Sequence, residues 1–135
     1  TIISNKQRIL QQYKKHLNGV VGLKIMEPAG LSNHIPFRVA IIFDTTVTDI
    51  MDYLSSNDIE TRTFFYPLHK QPCFTKIMYS QYCTQCIDVA GIDCNMSCFK
   101  NSTYNYNHGL CMPSYPDLEN SQIEYICNSI KTYLS

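Results

Sequence analysis

The sequence predicts an α+β fold in which a small, mostly antiparallel sheet carries helices packed on one face. Three observations point there. Apolar residues recur at helical spacing at both ends of the chain, a continuous β-rich apolar run lies between them, and turn residues cut the remainder into short pieces. The resulting order is helix, strand, helix, strand, strand, helix.

The first helix is expected over 4–17. Ile9, Leu10, Tyr13 and Leu17 fall on one face, Ser4 is a suitable cap and Gly19 a suitable terminator. Residues 20–36 hold Gly22, Pro28, Gly30 and Pro36 without a sustained period, so they read as loop with a short strand near 23–26. The run 37–43, Phe-Arg-Val-Ala-Ile-Ile-Phe, is nearly continuous in apolar character, as in a central strand buried on both sides.

Thr46 or Thr48 can cap a second helix whose stripe is Val47, Ile50, Met51 and Leu54, ending near Asn57. A strand is expected over 61–66, stopped by Pro67, and another over 109–113. Residues 75–108 have no clear period and read as loop with short helical turns. Ser121, Gln122, Ile123 and Glu124 form a capping-box pattern, and Ile123, Ile126, Cys127, Ile130 and Leu134 mark the buried face of a final helix.

Composition narrows the function. With 44% hydrophobic residues in 135, the chain can build a core. Eleven basic and eleven acidic residues cancel, and no basic run exceeds Lys14-Lys15, which argues against a nucleic-acid partner. The longest apolar run, 39–43, is far too short to cross a bilayer, so no membrane partner is expected. A start at Thr1, with a helix signal almost at once, reads as entry from a longer polypeptide. Seven cysteines cannot all pair within one chain, and a reducing, cytoplasmic setting is expected. The formal glycosylation acceptors at Asn95 and Asn101 leave a secreted, disulfide-bonded domain as a weaker reading.

Residues 58–72, Asp-Ile-Glu-Thr-Arg-Thr-Phe-Phe-Tyr-Pro-Leu-His-Lys-Gln-Pro, closely resemble a block of the DegT/DnrJ/EryC1/StrS sugar aminotransferases, most of all their perosamine-synthase branch. A second block, Gly109-Leu110-Cys111-Met112-Pro113-Ser114-Tyr115-Pro116 followed by Leu118 and the helix with Ile123, resembles the ending of that family. Arg8 and Tyr13 in the first helix, His34 before the central strand and the helix through Leu54 follow the same order. Thr48 departs from a position that is often basic in the family, and 75–98 is a longer, Cys-rich insertion.

The resemblance implies that 1–135 is the C-terminal small domain of a fold-type-I, pyridoxal-phosphate-dependent transferase. It implies a homodimeric enzyme when full length, acting on a nucleotide-linked 4-keto-6-deoxy sugar with an amino-acid donor such as glutamate. The lysine that carries the cofactor, and the residues that hold its ring and phosphate, would lie on a larger domain outside this chain. The isolated fragment is therefore expected to be inactive, with no catalytic residue of its own. Its contribution would be substrate binding through Arg62, Tyr66 and His69. Arg62 offers a planar fork suited to a diphosphate or carboxylate, and Tyr66 and His69 sit on a stiff turn bounded by Pro67 and Pro72. His16, His34 and His108 lack partner spacing and read as structural or exposed.

Cys83, Cys86, Cys94 and Cys98 form the one constellation with metal character. Four thiolates can close a structural tetrahedral zinc site, although the interval between the two pairs is short for a common double knuckle. Zinc, a disulfide and free thiols all stay open. A non-catalytic, zinc-stabilised binding module on the same scaffold is the alternative function.

Overall fold

The computed structural model describes residues 1–28, 30, 34–73 and 99–135. It divides the chain into two compact units, one made of Thr1–Thr63 with His108–Ser135 and the other of Phe64–Asn107.

In the first unit, helix α1 spans Ile2–Leu17 and starts two residues earlier than expected, because Thr1 caps it and Ser4 serves as the third helical residue. The Ser4 amide donates to the Thr1 Oγ1 at 3.4 Å. Ile9, Leu10, Tyr13 and Leu17 form its buried face, as their spacing requires, and Gly19 takes a φ of +74° just past the end.

Strand β1 is Leu23–Ile25, and β2, Val39–Phe43, pairs on both edges as the central position demands. Its burial alternates, however. Val39, Ile41 and Phe43 are buried while Ala40 and Ile42 are only partly so, and Phe37, ahead of the strand, is 77% exposed. The expectation of a strand buried on both sides is corrected accordingly: an all-apolar run looks the same in sequence whether one face or two are covered.

Helix α2, Val47–Ser56, follows with Val47, Ile50 and Leu54 buried. Its C-terminus closes as a Schellman motif. The Ile59 amide donates to the Leu54 carbonyl at 2.9 Å and the Asp58 amide to that of Ser55 at 3.1 Å. Asp58 takes the left-handed position at φ +58°, where glycine is usual, and Ile59 packs into the core beside Leu54.

Strand β3 is only Arg62–Thr63, shorter than the expected 61–66, and β4 is Gly109–Met112. All pairings are antiparallel in the order β1-β2-β4-β3. The register sets Ile41 opposite Leu110 and Val39 opposite Met112, so the inward residues of both central strands fall on one face. Helix α4, named after a helix of the second unit described next, spans Asn120–Leu134. Its cap lies two residues earlier than the Ser121 of the sequence pattern: Glu119 is the N-cap, and its amide donates to Gln122 Oε1 at 3.0 Å.

Ile123, Ile126, Cys127 and Ile130 of α4 join Ile9 and Tyr13 of α1, Ile50 of α2 and Ile41 of β2 in one core. Leu134 is half-buried at its margin. Each fully buried aliphatic side chain contributes about 1.5–3 kcal/mol, which is why the helices settle on the sheet face that carries Ile41 and Leu110.

In the second unit, Leu68–Lys70 form one 3-10 turn, and helix α3 spans Lys100–His108. The sequence did not mark α3, because its residues carry no buried apolar stripe. The two sulfur pairs proposed as zinc ligands, Cys83, Cys86, Cys94 and Cys98, lie outside the described residues. Among the described residues no helix is long and apolar enough to cross a membrane.

Candidate functional site

The first unit holds a cleft of about 680 Å³ beside the β3–β4 edge. One wall is the segment from the Schellman turn into β3, with Asp58, Glu60 and Arg62. The other is the end of β4 and the first turns of α4, with Ser114, Tyr115 and Tyr125. Arg38, at the entry to β2, completes the rim.

Side chains of α1 hold the second wall in place. Tyr13 donates to the Pro113 carbonyl at 2.9 Å, Arg8 to the Leu118 carbonyl at 2.8 Å and also to Asn120 Oδ1, and Lys6 to the Ser114 carbonyl and, at 2.9 Å, to that of Phe37. The carbonyls of Pro113, Ser114 and Leu118 lie between β4 and α4, where no ladder partner is available, so these bonds satisfy part-buried acceptors that would otherwise go unmet. Burial pushes the Tyr13 phenol well above its ordinary range and keeps it a donor. Tyr125 donates to the Asn57 carbonyl at 3.2 Å and so ties α4 to the Schellman turn.

Arg62 lies in this cleft. Its guanidinium is exposed and bonds the Glu60 carboxylate at 2.7 Å. Tyr66 and His69 belong to the second unit and are described there. Tyr66 is 47% exposed and packs edge-on against Tyr106, with ring centroids 5.3 Å apart. His69 is 3% exposed, stacks on Phe99 at 4.7 Å, and sets its Nε2 3.4 Å from Thr103 Oγ1. Burial, then the charge of Lys70, lowers its pKa and favours the neutral ring. His108 is structural, its Nδ1 lying 3.0 Å from the Phe43 carbonyl.

Sequence reasoning missed Arg38, Tyr115 and Tyr125. No spacing marks them, since the cleft is assembled from segments far apart in the chain. The Asp58 turn was legible only as a helix end near Asn57.

Among the described residues the cleft lining includes two guanidiniums and no lysine. What it can supply is charge, hydroxyls and an apolar floor, which is the equipment of a binding wall.

Comparison with known proteins places these features in context. The sequence profile of the DegT/DnrJ/EryC1/StrS aminotransferase family matches residues 1–131. The GDP-perosamine synthase of Vibrio cholerae is 28% identical over 138 residues, covering 99% of this chain and 33% of that protein. The GDP-perosamine synthase of Escherichia coli O157:H7 is 27% identical over 135 residues, covering 98% and 32%. The chain thus spans about a third of the length of these relatives. Among solved structures, DesV of S. venezuelae superposes with a TM-score of 0.77 at 15% identity, over 98% of this chain and 32% of that one. A protein from Streptococcus pneumoniae solved in its PLP form gives 0.76 at 12% identity, over 98% and 31%. At such identities the likeness shows a shared fold.

Proposed function

The chain belongs to the DegT/DnrJ/EryC1/StrS aminotransferase family, and from that premise we propose that it is the C-terminal small domain of a pyridoxal-phosphate-dependent sugar aminotransferase. The complete enzyme would move an amino group from an amino acid, glutamate by preference, to the keto carbon of a nucleotide-linked 4-keto-6-deoxy sugar. Support comes chiefly from one observation: the two perosamine synthases align with nearly all of this chain and with only a third of their own length.

The cofactor, held by the larger domain, supplies an electron sink when bound. The part proposed for this chain is to bind and orient substrate. Arg62 contacts the charged portion of the ligand. Its pair with Glu60 is exposed, and such pairs contribute under about 1 kcal/mol, so an incoming anion can draw the guanidinium away at little cost. Tyr66, half exposed, hydrogen-bonds a sugar hydroxyl, while His69, buried against Phe99 and Thr103, contributes by holding the turn that presents Tyr66. The enzyme works in the cytoplasm as a homodimer, and the isolated chain has no activity of its own.

The test uses the full-length protein loaded with pyridoxal phosphate. Glutamate should convert the cofactor to its amine form, seen by absorbance, and a GDP-linked 4-keto-6-deoxy sugar should reverse the change and yield an amino sugar by mass spectrometry. A protein that responds to glutamate but to no nucleotide-linked keto sugar would refute the substrate class.

A further inference from the structure

Helix α3 has little in its own sequence to hold it. Most of its nine residues are poor helix formers, none is buried, and so short a helix is marginal without tertiary support. Within the second unit that support comes along one stripe. Phe99, Thr103 and Tyr106 follow one another at intervals of four and three, so they share a face. The Thr103 amide donates to the Phe99 carbonyl at 3.1 Å, which carries the helical turn back to Phe99.

That face meets the segment after Phe64 at two points. Phe99 stacks on the His69 ring with centroids 4.7 Å apart, and Thr103 Oγ1 lies 3.4 Å from His69 Nε2. Tyr106 meets Tyr66 with the rings at 86° and 5.3 Å apart. Tyr66 and His69 stand either side of Pro67 and Leu68, in a stiff turn where the Lys70 amide donates to the Pro67 carbonyl and the Gln71 amide to that of Leu68, each at 3.0 Å. Two contacts on a stiff segment fix its rotation as well as its place, where one would leave a pivot. His69 is the buried member of the pair and Tyr66 the half-exposed one, so the first anchors the turn and the second is presented.

We propose that Tyr106 is a positioning residue for the substrate. It holds the Tyr66 ring, edge to face, in the orientation its hydroxyl needs to meet a sugar hydroxyl, while the contact of His69 with Phe99 and Thr103 sets the register of α3 on the turn. This rests on the substrate role given to Tyr66 above. The Tyr66 ring is then ordered before the ligand arrives, and binding does not bear the entropy of freezing it. Tyr106 acts through Tyr66 and not on the substrate.

The experiment uses the full-length protein loaded with pyridoxal phosphate and a GDP-linked 4-keto-6-deoxy sugar. Tyr106→Leu removes the aromatic edge and favours the helix, so α3 is kept and the melting temperature should hold. Its KM for the sugar should rise about threefold to tenfold, with kcat and the glutamate half-reaction unchanged. Tyr106→Phe, which keeps the ring, should stay within about twofold of the unaltered protein, and Tyr106→Leu should add nothing to Tyr66→Phe. Fluorine NMR of protein labelled with 3-fluorotyrosine reads the contact without turnover. The Tyr66 signal, identified by its loss in Tyr66→Phe, should move in Tyr106→Leu. An unmoved signal, or a KM in Tyr106→Leu within about twofold of the unaltered protein, overturns the proposal. A moved signal in a protein that aminates no sugar keeps the clasp on Tyr66 and removes the substrate reading instead.

Discussion

The phenol of Tyr13 donates a 2.9 Å hydrogen bond to the carbonyl of Pro113, a residue 100 positions away in sequence. The ring is fully buried, so the bond fixes the end of β4 from inside the core. Tyr13→Phe keeps the ring and removes the donor. It should lower unfolding stability by about 1–3 kcal/mol, the cost of leaving a buried acceptor unmet. Urea denaturation reads this directly, and an unchanged midpoint would mean that Pro113 finds another donor.

Asp58 sits at φ +58° in the Schellman turn that closes α2. Left-handed backbone costs a residue with a Cβ about 1–2 kcal/mol, partly offset by the greater freedom glycine has when unfolded. Asp58→Gly should therefore raise stability by up to about 1 kcal/mol, and Asp58→Val should lower it by about 1 kcal/mol or more. Thermal unfolding of the two variants gives the order, and a less stable glycine variant would contradict the assigned turn.

Burial holds the His69 imidazole below its ordinary value of 6.5. The unfolded chain therefore takes up this proton first as pH falls. The stability associated with the neutral ring is complete above 6.5 and is lost as pH drops from there through the folded value. His69→Gln should flatten the acid side of a melting-temperature profile, and a titration of the ring by NMR should give a midpoint under 6.5.

The Cys127 thiol, buried between α4 and the core, is pushed up to about 12 by desolvation, whereas Cys73 is exposed. At pH 8 an alkylating reagent should label Cys73 rapidly and Cys127 only on unfolding. Because the folded value lies above the ordinary 9.0, the stability linked to the protonated thiol is intact below pH 9 and is lost as pH rises toward 12. Cys127→Ala should reduce that alkaline loss, at the expense of some packing.

Arg62→Ala in the full-length enzyme should raise KM for the nucleotide sugar by about tenfold and leave the glutamate half-reaction unchanged. Stability should stay within about 0.5 kcal/mol, since only an exposed ion pair is lost. Steady-state kinetics beside a melting curve separates the two effects, and equal damage to both half-reactions would assign Arg62 a different role.

Most of the sheet and the helices that cover it were legible because their burial follows a period. Ile9, Leu10, Tyr13 and Leu17 recur at helical spacing, as do Ile123, Ile126, Cys127 and Ile130, and each set is buried as expected. Where the period failed, so did the reading: α3 has no buried apolar residue to announce it. End positions moved because caps act at a distance of three residues, so Ser4 serves α1 from inside the helix while Thr1 caps it. Of the residues the family blocks pointed to, Arg62 lines the cleft, and the cleft itself depends on Arg38, Tyr115 and Tyr125 meeting across segments far apart in sequence. That proximity exists only after folding.

The packing of α1 on α4 and the pairing of β2 with β4 also have a kinetic side. The helix that α1 packs against most closely is made more than a hundred residues later. During synthesis the apolar stripe of α1 must wait, uncovered, until the final fifteen-residue helix leaves the ribosome. A polypeptide stalled or clipped before Asn120 would keep all four strands and the three earlier helices with no lid for Ile9 and Tyr13, a species fit for chaperones or aggregates rather than for a partly working domain.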